Sequence, residues 1–343
     1  MLFRSKTPHL LAALAALSTT LSAAEWPEWR GPGAQGHAPG TGLPTSWSET
    51  KNVAWKAELP GRAWSSPVIE GKQIWMTTAI ETPASKEDTA RRLKANTGDQ
   101  ALTLLAKVEL RALCVDRDTG KLTQNILLLS LNEPQWVHAL NSYASGTPVI
   151  EDGKLYCHFG ALGNACLDTR TGKVLWTNTE LVVMHENGPG STPVLWRNLL
   201  VFHLDGSDQQ FIAALDKRTG KLAWRTPRSG DMNANPQLKK SYGTPLILTL
   251  NGKEQIISPA SDWIYGYDER SRLISAAIKR LGAQQASLVR TLSYGLPARP
   301  WLVTQMSFFR SESSVASNDV SVVDVSYRFQ SDSPDSPITQ VSV

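Results

Sequence analysis

Three short stretches of this chain carry residue types that bind ligands or do chemistry. His185-Glu186-Asn187-Gly188-Pro189-Gly190 sets an imidazole, a carboxylate and an amide side by side. Asp205-Gly206-Ser207-Asp208 offers two carboxylates and a hydroxyl around a glycine, and Asp262-Trp263 is a third polar loop whose tryptophan reads as packing. Oxygen donors hold hard cations such as Ca²⁺. Glu186, Asp205 and Asp208 are therefore candidate ligands, with His185 and Asn187 beside them. The same residues also read as turn chemistry, with Asp and Gly closing a four-residue hairpin and His185 solvated. Both readings stand at this point.

Sulfur chemistry is less promising. Cys114 and Cys166 occupy a position that Ala214 fills in a related segment, which describes a small core site. Cys157 lies in an apolar strand and reads the same way, the alternative being a Cys157–Cys166 disulfide between adjacent strands. No Cys-x-x-Cys or His-x-x-x-His spacing marks a transition-metal site. Of 35 basic residues two fall in the first six positions, so the rest nearly balance the 31 acidic ones. With no basic run interleaved with aromatics, nucleic acid is not an expected partner.

These loops hang on a repeat. Asp-x-x-Thr-Gly-Lys occurs in CVDRDTGKLTQ from Cys114, CLDTRTGKVLW from Cys166 and ALDKRTGKLAW from Ala214. A decayed fourth copy, GYDERSRLIS from Gly266, has Ser271 and Arg272 in place of the Thr-Gly pair. The aspartates Asp116, Asp168, Asp216 and Asp268 follow one another at about fifty residues, the period of a stacked array. A second beat runs ahead of each copy: Ser66-Pro67, Thr147-Pro148, Thr192-Pro193 and Thr244-Pro245 each open an apolar run.

The unit from Thr147 to Trp176 shows what one repeat builds. Pro148 marks a strand start, Asp152-Gly153 a tight turn, and Leu155 to Phe159 the returning strand. Ala165 to Asp168 and Val174 to Trp176 add two more strands, joined by the Thr-Gly turn at Gly172. Four short antiparallel strands make a propeller blade, so the fold class is all-β. In the turn, Asp bonds backbone amides and Gly120, Gly172 or Gly220 takes the left-handed position. Trp176 and Trp224 lay a large ring over the neighbouring sheet. Gln124 stands at that position in the first unit, where the anchor is expected to be missing. Blade units fall at about 60–125, 143–180, 188–228 and 240–270. A helical insertion at about 81–110 is signalled by the capping box from Ser85 to Asp88.

Both ends differ from the array. Residues 1–24 have the basic start, apolar core and small-residue cleavage site of a secretory signal peptide, so the chain is expected to be exported, to periplasm or beyond. No other stretch approaches membrane-spanning length. Residues 271–343 lack the turn motif, have no glycine after Gly295, and carry a disorder-like composition at Ser331 to Pro337. This tail is expected to be foreign to the array, disordered or the product of a reading-frame change. The propeller is then incomplete, with about four blades recognisable.

The motif Ala/Cys-x-Asp-x-x-Thr-Gly-Lys-x-x-Trp resembles the tryptophan-docking repeat of pyrroloquinoline-quinone (PQQ)-type β-propellers. That superfamily includes quinoprotein alcohol dehydrogenases and the propeller lipoprotein of the outer-membrane Bam complex. Trp26-Pro27-Glu28-Trp29-Arg30-Gly31-Pro32, with Gly42-Leu43-Pro44 and Val53-Ala54-Trp55-Lys56, is similar to the opening of secreted PQQ-binding-like repeat proteins of planctomycete-type bacteria. The resemblance covers roughly Glu25 to Asp268. It implies that Val53 to Leu59 serves as a strand of the last blade, and it brings PQQ and Ca²⁺ into view as cofactors. The dehydrogenases' adjacent-cysteine disulfide has no counterpart here, and no motif matches their catalytic carboxylates. The expected function is a non-catalytic exported propeller that presents a loop face to protein or carbohydrate partners. A PQQ/Ca-dependent oxidoreductase and an envelope assembly factor are the alternatives.

Overall fold

A computed structural model describes residues 25–38, 40–94, 96, 100–229, 232–250, 252–268 and 272–278, together with strands at 287–293, 305–311, 320–329 and 338–342. The first sheet comprises β1 (Val68–Glu70), β2 (Gln73–Pro83), β4 (Leu105–Asp116) and β5 (Leu122–Asn132), with β3 (Leu102–Thr103) and β6 (Val137–His138) paired apart from it. The second runs β7 (Val149–Glu151), β8 (Lys154–His158), β9 (Asn164–Asp168) and β10 (Val174–Asn178). The third runs β11 (Val194–Trp196), β12 (Leu199–Asp205), β13 (Gln210–Asp216) and β14 (Leu222–Pro227). The fourth begins with β15 (Leu246–Leu250), β16 (Lys253–Pro259), β17 (Trp263–Tyr267) and β18 (Leu273–Ile278). Neighbouring strands pair antiparallel throughout. This is the expected all-β blade architecture, as an open row of sheets.

Two expectations need correction. The insertion holds one helix, α1 (Lys86–Leu93), whose cap Ser85 accepts the Asp88 amide at 3.0 Å. On either side of it, residues 81–83 belong to β2, 102–103 to β3 and 105–110 to β4, and β2 and β4 stay in register from Gln73↔Asp116 to Thr82↔Lys107. Strands β19 (Ser287–Ser293), β20 (Gln305–Ser311), β21 (Val320–Phe329) and β22 (Ile338–Ser342) extend the fourth sheet to eight strands. Within β21, Val323, Val325, Tyr327 and Phe329 alternate with polar residues, a strand signal that serine content obscured. The disorder-like run Ser331 to Pro337 and the leader 1–24 lie outside the described residues. Second, Val53 to Leu59 forms no strand and pairs with none among the described residues, although Trp55 is docked.

The repeat residues lock sheets together in two ways. In each turn the Asp carboxylate accepts from the Thr amide and hydroxyl, at 2.9 and 2.7 Å for Asp116, 2.7 and 2.8 Å for Asp168, and 2.8 and 2.9 Å for Asp216. The glycine amide then donates to the Asp carbonyl at 2.8 Å. Gly220 has φ +71°, and a Cβ there would lie 2.5 Å from the Trp176 ring. Trp176 belongs to the sheet before, and its Nε1 donates to the Lys217 carbonyl at 3.0 Å. Trp55 repeats this on Gly120, donating to the Arg117 carbonyl at 2.8 Å. Gln124 does not leave the second turn unanchored: its Nε2 donates to the equivalent Thr169 carbonyl at 2.9 Å. A side-chain amide thus replaces the indole N–H. In the fourth copy Arg272, at the motif's glycine position, contacts the aspartate instead, its amide donating to Asp268 at 2.9 Å and its guanidinium pairing with the same carboxylate.

The second lock is a belt of hydroxyls at the Ser/Thr-Pro positions. The Ser66 amide donates to Thr147 Oγ1 at 3.0 Å, Thr147 to Thr192 Oγ1 at 3.2 Å, and Thr192 to Thr244 Oγ1 at 3.3 Å. Each sheet's first strand is tied to the next by the residue before its proline. Cores fill the gaps between sheets, Cys114 and Cys157 in one and Cys166 in another. Cys157 and Cys166 point to opposite faces of one sheet, so all three thiols are free and no disulfide joins them.

Candidate functional site

Two of the polar loops, His185 to Gly190 and Asp205 to Asp208, meet beside the second, third and fourth sheets. His158 ends β8, and His203 lies near the end of β12. Each stands ten residues after its unit's proline, Pro148 or Pro193, so they share one repeat position. His185 comes from the loop ahead of β11. These three imidazoles, with Gly190, Asp205 and Tyr242, line a small half-open cleft of about 20 Å³.

All three rings are buried. His158 Nδ1 lies 2.7 Å from Asn164 Oδ1, and His203 Nδ1 lies 3.2 Å from Ser258 Oγ. His158 Nε2 has no hydrogen-bond partner, while backbone groups at Trp136 and Gly243 interact with the His185 and His203 rings. Burial disfavours the imidazolium and lowers His158 and His185 to about 4. Burial, with the Arg228 charge and His158 nearby, pushes His203 well below its ordinary value. The cleft is therefore walled by neutral rings at neutral pH.

The carboxylates expected to be cation ligands are bound to protein groups. Asp205 forms a bidentate pair with Arg228, at 3.0 Å to both Nε and Nη2, with neither side chain exposed. Burial pushes the Asp205 carboxyl above its ordinary value despite the guanidinium. Against the same burial, Asp205 holds Arg228 above its own. Glu186 accepts from Lys240 Nζ at 2.7 Å and from Gln237. Asp208 accepts the Met184 amide at 2.8 Å. Asn187 uses its carbonyl to accept from Asn141 Nδ2 at 2.7 Å, while its side-chain Oδ1 is buried without a partner. The turn reading fits Asp208. Asp205 is instead a core ion-pair residue, and His185 is buried, not solvated. Asp262, with φ +61°, is a turn residue, and Trp263 packs in the third core cluster.

Tyr242 closes the site by donating to the His185 carbonyl at 2.9 Å and packing on Gly190, and burial raises its hydroxyl to about 12. Sequence reasoning passed over His158, His203, Arg228 and Tyr242. The shared ten-residue spacing from proline is the signal that would have found both histidines.

Among the described residues no three His, Cys, Asp or Glu side chains group closely enough to hold a metal ion. A quinone cofactor with its Ca²⁺ needs free oxygen ligands and, in the resemblance, adjacent cysteines. The donors here are committed to Arg228, Lys240 and Met184, and no two of the cysteines are adjacent in sequence, Cys166 lying in a different core from Cys114 and Cys157. The described residues do not fit that cofactor.

Blades docked by tryptophan on Asp-x-x-Thr-Gly-Lys turns define a PQQ-like β-propeller repeat protein. A family profile described as outer membrane protein assembly factor BamB matches residues 38–179 and again 108–257. The chain belongs to that family. Among solved structures it is similar to a europium-containing methanol dehydrogenase, with 10% identity, 82% of this chain and 51% of that one covered, and a TM-score of 0.41. BamB from Moraxella catarrhalis gives 13%, 74% and 72% coverage, and 0.33. A quinohemoprotein alcohol dehydrogenase from Comamonas testosteroni gives 12%, 73% and 51%, and 0.37. The chain spans about half the length of those two dehydrogenases. No curated protein sequence matches it. No described helix is long and apolar enough to cross a membrane.

Proposed function

We propose that this chain is an exported, non-catalytic propeller that binds a protein partner of the cell envelope through the loop face around Tyr242. One observation carries the reading. Leu140, Val182, Met184 and Tyr242 are exposed apolar residues on loops bound to one another at this end. Asn141 ties its loop to Asn187 and Pro189, Asp208 holds Met184, and Tyr242 holds His185. An ordered apolar patch with a polar rim is the form of a protein-docking surface. Family membership supports a role in envelope assembly, and the leader sequence supports export.

Photo-crosslinkers placed at Met184 and Leu140 in the producing cells test this. Adducts with one defined envelope protein are expected, and they should disappear in a Met184→Asp variant. Adducts unchanged by that substitution, or none at either site, would remove the reading. The dehydrogenase alternative is tested by adding PQQ and Ca²⁺ and following dye-linked oxidation of an alcohol panel. Turnover above the protein-free control would replace the scaffold with an oxidoreductase.

A further inference from the structure

The outer strand of the first sheet, β5, is built unlike the outer strands of the two sheets beside it. It runs 11 residues, LTQNILLLSLN, whereas β10 has 5 and β14 has 6. From Leu122 to Asn132 it holds no charged residue, no proline and no glycine, while β14 carries Arg225 and ends at Pro227. An edge strand presents a row of backbone N–H and C=O groups, and proteins blunt such edges with charge, proline or short length. β5 uses none of these.

Its edge is open. β5 pairs with β4 alone, and among the described residues one further hydrogen bond reaches its backbone, from Arg111 Nη1 to the Asn125 carbonyl at 3.4 Å. Ile126, Leu129 and Leu131 pack against the first core from one face. A register shift between Arg111↔Leu127 and Leu110↔Leu129 makes Leu128 an extra residue. Bulges also blunt edges, but this one turns Leu128 into the core and adds no charge. Leu127 stays 43% exposed, with Asn125 and Ser130 exposed beside it.

The fourth sheet shows that this position has room for another strand. There β18 is the fourth strand of its blade, as β5 is of the first, and it pairs onward with β19 antiparallel. The strand that suits β5 is extended, uncharged, and apolar enough to lie beside Leu122 and Leu127. β5 itself has that composition. Two identical strands set antiparallel about a two-fold axis place uncharged residues opposite one another, with no like charges to separate them.

We propose that β5 is a self-association edge, through which two copies of this chain join antiparallel, β5 against β5, and unite their first sheets. The contact is isologous, so each edge is used up by the other and assembly stops at the dimer.

Analytical ultracentrifugation of the full chain over a dilution series, with hydrogen exchange read on the same samples, tests this. A dimer that dissociates on dilution is expected, its β5 amides exchanging more slowly than in the monomer. Leu127→Glu puts a carboxylate on the edge, opposite Arg111 within its own chain. That variant is expected to dissociate at several-fold higher concentration with an unchanged thermal midpoint. If it misfolds, exchange on the parent chain still decides. A monomer at every concentration, assembly past the dimer, or a dimer whose β5 amides exchange as fast as the monomer's would each overturn the proposal. So would a monomeric chain whose β5 slows only when an envelope extract is added, since the edge would then belong to another protein's extended segment. None of these readouts uses the loops at Met184 and Leu140, so the edge and the partner surface can fail separately.

Discussion

Asp205 and Arg228 hide two full charges where water does not reach, and their worth depends on each other. Burying the pair is costly, and removing one partner leaves the other charge uncompensated. Asp205→Leu is therefore expected to lower folding stability by about 3–5 kcal/mol, while Asp205→Leu with Arg228→Met recovers most of that loss. Urea unfolding of the two variants checks it, and equal losses in both would deny the coupling. The histidines predict a pH dependence with a definite sign. Unfolded imidazoles take up protons below about 6.5, whereas folded His158 and His185 wait until about 4. Between those values the unfolded chain binds more protons, so stability is full above about 6.5 and falls as the pH drops. The slope is about 1.4 kcal/mol per pH unit for each ring. A urea midpoint that stays flat from pH 7 to pH 5 would show that the rings reach solvent. The loop carboxylates were visible as residue types, but their partners were not. Arg228 lies 23 residues from Asp205, and no local pattern announces a pair that only sheet packing creates.

The repeated elements were legible because each copy is built the same way from local parts. Proline starts a strand, Asp and Thr close a turn, and glycine supplies the positive φ under an aromatic ring. What the motif hid is direction: Trp176 serves the turn of the following sheet, not its own. Hence the substitution by Gln124 looked like a lost anchor until the Thr169 carbonyl appeared beside it. Trp176→Ala is expected to cost about 3–5 kcal/mol as a core tryptophan. Gln124→Ala should cost about 1 kcal/mol, the value of one hydrogen bond. Thermal unfolding of both orders them, and a Gln124→Ala loss as large as that of Trp176→Ala would contradict a single-bond role. The hydroxyl belt makes a companion case. Thr147→Val leaves the Ser66 amide without its acceptor and should cost about 1–3 kcal/mol, whereas Thr147→Ser keeps the bond. The strands from β19 to β22 were missed for the opposite reason. They share no motif with the blades and show only a period-two alternation.

At the scale of the whole molecule, each sheet is completed by its neighbour, and the rule lapses where a neighbour's turn has decayed or a neighbour is absent among the described residues. Trp224 of the third sheet keeps its buried Nε1 without a partner among the described residues, beside the fourth sheet, whose turn has lost its Thr-Gly pair. At the first sheet's flank stands Trp64, two residues before Ser66, just as Tyr242 stands two residues before Thr244. Tyr242 packs on Gly190 of the preceding sheet and bonds the His185 carbonyl, with 36% of its surface exposed. Trp64 has 61% exposed, with no described sheet ahead of it to fill Gly190's role. Repeat arrays gain stability from nearest-neighbour interfaces, so the same repeat position should differ in worth with its neighbour. Trp64→Ser is expected to change stability by less than about 0.5 kcal/mol, as an exposed substitution does. Tyr242→Ser, which loses a packed ring and a hydrogen bond, should cost about 1–3 kcal/mol. Chemical denaturation of the two variants decides the matter. A Trp64→Ser loss equal to that of Tyr242→Ser would mean that the first sheet's flank is covered in solution, and that the ring closes over it.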